Sequence, residues 1–284
     1  MSDLEIVRTV RALRETIAGW RHAGETVGLV PTMGALHMAH MALVDEARKH
    51  ADRVVASIFV NPTQFGPNED FSSYPRREAG DIETLRDHGV DLLFAPDVKE
   101  MYPAGFETIV DVPNISQGLC GDHRPGHFAG VATIVTKLLL QALPDCAVFG
   151  EKDYQQLQVI RRLALDLDIP VDIIGLPTVR EADGLAVSSR NANLSPADRA
   201  IAPKMHAALK DVADKVQAGE AVSVACAAAH EALAAAGFFP IEYLEVRTAD
   251  TLMPADQAPA GAPLRALAAA WLGKTRLIDN LPIG

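Results

Sequence analysis

Two histidines, His37 and His40, lie three residues apart immediately after a segment with the pattern of a short buried strand, residues 25–30. A proline and a glycine mark the turn between this strand and a predicted helix at residues 41–50. Residues three apart on a helix share one face. Because backbone N–H groups and the helix dipole favour anions at a helix N-terminus, the pair indicates a site that binds a polyphosphate and stabilises its charge during transfer.

Four further polar segments follow predicted strands or lie in predicted loops. Residues 61–65 offer amides suited to a hydroxy acid, and residues 149–156 combine a glycine with a lysine suited to phosphate. Residues 187–191 supply two hydroxyls and a guanidinium, and residues 124–128 form a loop cluster with a cation and an imidazole. Each segment alone is also compatible with ordinary surface residues. Together, without a nucleophile–base pair or a metal-ligand set, they favour phosphoryl or adenylyl transfer by positioning and electrostatics.

Composition and missing motifs exclude several classes of protein. The net charge of −11 argues against nucleic-acid binding, and no apolar run reaches the roughly 18 residues of a membrane span. No G-x-G-x-x-G opens the first strand–helix unit, and no P-loop motif occurs. Three widely spaced cysteines indicate reduced thiols, and the acidic N-terminus lacks a secretory signal. We therefore expect a cytoplasmic protein that binds small molecules, neither nucleic acid nor membranes.

Strands alternate with helices over residues 1–176, which predicts an α/β domain with a mainly parallel sheet. Ligands of such sheets bind beyond the carboxyl ends of the strands. The further predicted strands are residues 53–60, 91–95, 145–149 and 170–175, and the further helices are residues 76–88, 131–143 and 152–167.

In residues 177–284 the alternation of strands and helices stops, and Ala-rich helical segments are followed by short strand patterns. This predicts a smaller α+β domain that closes over the first as a lid. Its predicted helices are residues 195–217 and 223–236, and its predicted strands are residues 241–247, 264–271 and 275–279.

Six segments, in this order and spacing, resemble the pantothenate synthetase family over essentially the whole chain. They are residues 31–37, 59–65, 124–128, 149–156, 188–191 and 273–280. The His-x-x-His element is shared with the wider class of HIGH-type nucleotidyltransferases. The resemblance implies a Rossmann-like HIGH-type nucleotidyltransferase domain with a C-terminal lid, and a homodimer. It also implies ATP-dependent, AMP-forming condensation of (R)-pantoate with β-alanine through a pantoyl adenylate, in the biosynthesis of pantothenate and coenzyme A.

The resemblance also implies residue roles. His40, His37 and Lys152 would be catalytic, and Gln64, Asn61 and Gln156 would bind pantoate, with Gln64 also near β-alanine. Mg²⁺ would bridge the ATP phosphates, with Asp81 as its protein ligand. The residues that would contact ATP are Met33, Gly34, Ala35, Leu36, His37, Met38, Ala39, His40, Gly150, Glu151, Lys152, Asp153, Val179, Val187, Ser188, Ser189 and Arg190.

One residue departs from the family pattern, which usually has glycine where this chain has Ala39. The methyl group occupies space that the adenosine would use, so we expect a modest loss of ATP affinity and retained chemistry. Two alternatives stay open. One is an adenylyltransferase that stops at AMP transfer and makes no amide, and the other is a nucleotide-binding regulator without turnover.

Overall fold

The computed structural model describes residues 4–67, 69, 71–72 and 74–284. Backbone contacts divide it into two compact units. The first takes the described residues up to Ser116, then Arg124–Glu151 and Val159–Pro177, and the second takes Gln117–His123, Lys152–Gln158 and Thr178–Gly284. The predicted domain boundary after residue 176 stays a prediction, because compactness does not show that either part folds alone.

The elements alternate in the order that the sequence predicts. The described strands are β1 (Glu5–Val7), β2 (Val27–Thr32), β3 (Arg53–Ile58), β4 (Leu92–Phe94), β5 (Cys146–Gly150), β6 (Asp172–Leu176), β7 (Ile241–Thr248), β8 (Leu264–Leu272) and β9 (Thr275–Ile283). The described α-helices are α1 (Val10–His22), α2 (Met38–His50), α3 (Glu78–Asp87), α4 (Val98–Met101), α5 (Pro113–Ser116), α6 (Cys120–His123), α7 (His127–Ala142), α8 (Tyr154–Asp166), α9 (Pro196–Ile201), α10 (Lys204–Gln217) and α11 (Val222–Ala236).

The first unit is built on a parallel sheet with the strand order β1-β4-β3-β2-β5-β6. This confirms the predicted α/β class. The central strands β2 and β3 are buried on both faces, as expected where helices cover a parallel sheet. The chain order runs outward from β2 to β4 and then resumes on the other side at β5, so the topological switch point lies between β2 and β5. The carboxyl ends of these two strands therefore flank the place where such sheets bind ligands.

The second unit packs helices on an antiparallel sheet, β7-β8-β9, which confirms the predicted α+β character. Its core joins apolar residues of α10 and α11 to small residues of β8, among them Leu209, Leu233 and Ala268. Alanine is frequent on β8, and it lets the helices approach the sheet closely.

Several predicted element bounds are wrong. The single helix predicted at residues 195–217 is two helices, α9 and α10, with Pro203 at the N-cap of the second. Proline lacks the N–H that a continuous helix needs, so it marks the break. Helix α2 begins at Met38 rather than Met41, and its first turn carries no apolar periodicity by which the sequence would reveal it. The short strand β1 and the helix α1 were not predicted.

Candidate functional site

The loop after β2 has an unusual backbone conformation, which hydrogen bonds to the carboxylate of Asp81 stabilise. Gly34 and Ala35 both have positive φ, +80° and +51°, and side chains rarely adopt this conformation. Both oxygens of Asp81, on α3, accept backbone bonds from this loop: Oδ2 from Ala35 N at 2.9 Å and Oδ1 from Leu36 N at 2.8 Å. A Cβ on Gly34 would lie 3.0 Å from Asp81 Oδ2, so glycine is needed both for the φ angle and for this approach.

The two histidines meet at the N-terminus of α2. His37 is the N-cap residue and His40 is the third residue of the helix, with ring centroids 4.0 Å apart. The backbone N–H of His37 donates to Nδ1 of His40 at 3.3 Å. Since Nδ1 accepts this hydrogen bond, the neutral His40 ring carries its proton on Nε2. His40 therefore combines a capping acceptor on one nitrogen with a donor on the other.

The turn after β3 places Gln64 beside the loop that follows β2. Asn61 caps the 3₁₀ turn Pro62–Gln64, and its Nδ2 donates to Gln64 Oε1 and to Gly130 O, both at 3.1 Å. Gln64 Nε2 donates to the sulfur of Met33 at 3.1 Å. A thioether is a weak hydrogen-bond acceptor. A hydrogen bond from this amide to a ligand carboxylate would be stronger than the one it makes to the sulfur. The structure thus brings Met33 and Gln64 together and gives Asn61 the role of orienting Gln64.

Residues at the start of helix α7 stabilise the same turn through hydrogen bonds. His127 Nδ1 donates to Gln64 O at 2.8 Å, and Arg124 donates to His127 Nε2 at 2.9 Å. Arg124 also binds Glu69. The prediction that residues 124–128 form a loop was partly wrong, because α7 begins at His127, one residue after the left-handed Gly126. The segment acts on the site through the backbone of Gln64.

Gly130 allows α7 to lie directly against this turn. A Cβ there would lie 2.4 Å from Thr63 O and 2.7 Å from Gln64 Cα, both backbone atoms with no flexible end to move. We expect Gly130→Ala to cost about 1–3 kcal/mol of folding stability, because the turn must shift. Since the resemblance implies that Gln64 binds pantoate, we also expect the KM for pantoate to rise. Urea denaturation and steady-state kinetics measure the two effects.

Gly19→Ala is the matched control, since a Cβ there would have no contact within 4 Å from the part of the chain that the structure describes, outside its own helix backbone and chain neighbours. An unchanged KM for pantoate in a folded Gly130→Ala protein would contradict the positioning role of this contact.

Strand β5 pairs with β2 at the switch point through the first half of each strand. Gly28 and Leu29 of β2 pair with Cys146 and Ala147 of β5. Gly150 ends β5, and apart from its chain neighbours no described residue lies within 4 Å of the position that a Cβ would take there. Space for a ligand therefore remains beside this backbone, where the resemblance predicts contact with ATP.

In the second unit, Val179 and Val187 form one small hairpin. Val187 N donates to Val179 O at 3.0 Å, and Arg180 bridges to Ala186 in antiparallel fashion. The hairpin leads directly into Ser188, whose hydroxyl caps the 3₁₀ turn Ser189–Asn193 by accepting from Arg190 N at 3.3 Å. The structure therefore brings Val179 next to the residue that precedes the Ser188–Arg190 segment, although seven residues lie between Val179 and Val187 in the sequence.

Lys152 and Asp153 also belong to the second unit and lie in the 3₁₀ turn that leads into α8. Lys152 Nζ is 3.9 Å from Asp153 Oδ2, and its side chain is one-fifth exposed. Gln156 lies half-buried in the first turn of α8. Its neighbour Gln155 is buried and binds the 117–120 segment, accepting from Cys120 N at 3.0 Å.

Two residues of the first unit's site were missed from the sequence. Tyr102 donates its hydroxyl to Asn61 Oδ1 at 2.8 Å, and burial raises the pKa of this phenol. Gly130 supplies the close approach of α7. Neither stands in a motif, and no signal in the sequence separates them from an ordinary tyrosine or helical glycine.

Asp81, predicted from the resemblance to bind Mg²⁺, is held in the structure by the loop after β2. Both of its oxygens accept backbone N–H groups, and the described residues contain no group of three or more metal-ligating side chains. Each carboxylate oxygen keeps a second lone pair, and Mg²⁺ is usually held by one or two carboxylates together with phosphates and waters, so the magnesium-ligand role of Asp81 stays a prediction. Likewise, within the described ranges no helix has both the length and the apolar character that crossing a membrane requires.

Comparison with known proteins decides the family. The family model for pantoate–beta-alanine ligase matches residues 5–282. The chain belongs to this family. It is therefore a ligase that joins pantoate to β-alanine, as the resemblance of its motifs implied.

The similarity to known relatives extends over nearly the whole length of each chain. A pantothenate synthetase of Paramagnetospirillum magneticum is 60% identical over 99% of this chain and 98% of its own. The crystal structure of pantothenate synthetase from Thermus thermophilus matches with a TM-score of 0.91 and 48% identity, covering 99% of both chains. A pantoate–beta-alanine ligase from Francisella tularensis, solved with beta-gamma ATP and beta-alanine, matches with a TM-score of 0.81 and 35% identity, covering 98% and 97%.

Proposed function

We propose that this ligase activates pantoate with ATP as a pantoyl adenylate and then transfers the acyl group to β-alanine. A carboxylate is a poor acyl donor because oxide is a poor leaving group, and joining it to AMP supplies a good one. In the first step a carboxylate oxygen of pantoate bonds to the α-phosphorus, and the bond from that phosphorus to pyrophosphate breaks. In the second step the β-alanine amine bonds to the acyl carbon, loses a proton, and AMP leaves with the former carboxylate oxygen.

The observation that carries this proposal is the hydrogen bond from the backbone of His37 to the ring of His40, which assigns the tautomer of His40. Its Nδ1 accepts the N–H of His37, so its Nε2–H is the group that donates to an anion. At the N-terminus of α2 this donor adds to the helix dipole and to the backbone N–H groups. A fixed donor of this kind stabilises negative charge that develops on the phosphate during attack. His37 holds the helix start in place and lies against the same ring.

The remaining predicted residues have supporting roles in this proposal. Gln64 offers an amide to the pantoate carboxylate or hydroxyls, because its present acceptor is only a thioether. Lys152 supplies a point charge to the ATP phosphates. Ser188, Ser189 and Arg190 supply hydroxyl and guanidinium donors to the nucleotide. Mg²⁺ enters with ATP, and no step here depends on a protein-held metal. We also propose that the protein is a homodimer, as the resemblance implies.

The proposal is tested by measuring pyrophosphate, AMP and pantothenate from ATP, Mg²⁺ and pantoate, with and without β-alanine. We expect turnover only with β-alanine, and equal amounts of all three products. Continued pyrophosphate turnover without β-alanine would favour an adenylyltransferase. ATP binding without pyrophosphate under either condition would favour a non-catalytic nucleotide-binding protein.

Ala39 gives a further prediction for the ATP site. It is the second residue of α2 and half-buried at the helix N-terminus. Removing its methyl group lets a nucleotide approach the helix backbone more closely. We expect Ala39→Gly to lower the KM for ATP by roughly threefold with little change in kcat, at a cost of about 1 kcal/mol in stability.

The matched control for Ala39→Gly is Ala42→Gly, on the same helix but beyond its first turn. It carries a similar helix penalty and should leave the KM for ATP unchanged. If both variants leave this KM at the wild-type value, the Ala39 methyl does not occupy nucleotide space.

A further inference from the structure

Asn280 is a polar residue buried in the second unit's sheet, only 3% exposed. It lies on β9, paired with Leu267 of β8. Its backbone is fixed on both sides: Asn280 N donates to Asp279 Oδ1 at 2.7 Å, and Asn280 O accepts from Arg180 at 3.2 Å. Arg180 in turn binds both oxygens of Asp279, at 2.7 and 2.9 Å. Because these hydrogen bonds fix the backbone of Asn280, its side-chain amide can hold a contacting group in a defined position.

The side chain of Asn280 contacts the turn that carries Lys152. Its Nδ2 donates to the backbone O of Lys152 at 3.0 Å, and its Oδ1 accepts from Arg265. The Arg265 guanidinium lies over the ring of Tyr154, 3.6 Å from the centroid, and Tyr154 donates to Ala249 O at 2.9 Å. Asn280 and Arg265 therefore fasten the turn at two points, Lys152 and Tyr154, that lie two residues apart.

We infer that Asn280 is a positioning residue for this ligase: it sets the place of the Lys152 ammonium through the backbone carbonyl of Lys152. The inference rests on the proposed role of Lys152 at the ATP phosphates. A lysine acts on phosphate as a point charge on a flexible stem, so its effect depends on where the stem begins. A displacement of about 1 Å at such a group lowers rates by about a hundredfold.

The test compares Asn280→Asp with Asn280→Ala. The aspartate keeps an acceptor for Arg265 but has no donor for the Lys152 carbonyl, whereas the alanine loses both contacts. We expect both variants to lower kcat for pyrophosphate release by roughly tenfold to a hundredfold, with the KM for pantoate little changed. Ile278→Val, a half-buried position on the same strand, is the control and should keep the wild-type kcat.

A double-mutant cycle with Lys152→Ala separates positioning from general structural damage. If Asn280 acts through Lys152, Asn280→Asp should lower kcat by less than about twofold in the Lys152→Ala background. An equal loss in both backgrounds would overturn the inference. If Lys152→Ala itself leaves kcat unchanged, the proposed role of Lys152 fails first, and the two failures are thereby distinguished.

Circular dichroism and thermal melting confirm that each variant is folded before kinetics. If both Asn280 variants unfold, Arg265→Lys takes their place in the cycle. It keeps the charge but loses the planar contacts to Asn280 and Tyr154. A wild-type kcat in folded Arg265→Lys would then overturn the inference, and a loss that vanishes in the Lys152→Ala background would support it.

Discussion

Replacing His40 with asparagine is expected to lower kcat for pyrophosphate release by roughly 100- to 1,000-fold, with less than about a threefold change in ATP affinity. The asparagine Oδ1 lies near the position of Nδ1 and can still accept the N–H of His37, which His40 now receives at 3.3 Å. The donor at the Nε2 position is lost. The variant therefore keeps the helix start and removes the group that stabilises charge in the transition state.

Two comparisons sharpen this prediction. His40→Gln places an amide donor nearer the position of Nε2 and should recover part of the kcat that His40→Asn loses. His40→Ala removes both nitrogens and should be at least as slow as His40→Asn. Pre-steady-state pyrophosphate release and ATP titration by calorimetry measure the two quantities. Equal losses in turnover and in ATP binding would show that His40 only binds the nucleotide.

Replacing Asp81 with alanine is expected to lower the free energy of unfolding by about 3 kcal/mol, even without ATP or Mg²⁺. The carboxylate is 4% exposed and accepts the N–H groups of Ala35 and Leu36. Each buried donor left without a partner costs about 1–3 kcal/mol. The loop also loses the support for its two positive φ angles, so ATP binding should weaken together with stability.

Urea denaturation of the unliganded protein tests this, with Glu83→Ala, at an exposed position on the same helix, as the control. Asp81→Asn keeps one acceptor oxygen and should lie between the wild type and the alanine variant. If Asp81 instead serves only as a magnesium ligand, the unliganded stability of Asp81→Ala would equal that of the wild type. Only the Mg²⁺ dependence of the reaction would then change.

The fold class could be predicted because its signals are local. Apolar runs bounded by turn residues mark β2, β3 and β5, and their alternation with helices implies parallel pairing. Element ends were predicted less well, as α2 shows. Its first turn is recognised by the capping contact between His37 and His40, and that contact depends on conformation more than on residue type.

The contacts of the supporting residues could not be predicted, because most of them join distant segments of the chain. Asn61 and Asp81 were both predicted for the site, and the structure adds contacts that the sequence did not indicate, from Asn61 to Gln64 and from the loop after β2 to Asp81. Most of their other contacts span long stretches of sequence: Asn61 contacts Gly130 and Tyr102, and Asp81 contacts Ala35 and Leu36. A motif shows that a polar residue matters, and only the fold shows which atoms it contacts.

The most direct test of the central claim follows the oxygen of the pantoate carboxylate. The protein is given pantoate labelled with ¹⁸O in the carboxylate, together with ATP, Mg²⁺ and β-alanine, and the AMP and phosphate products are analysed by mass spectrometry. If the carboxylate attacks the α-phosphorus, each AMP carries one ¹⁸O and pyrophosphate carries none. Label in pyrophosphate or inorganic phosphate, or unlabelled AMP alongside pantothenate, would contradict the pantoyl adenylate.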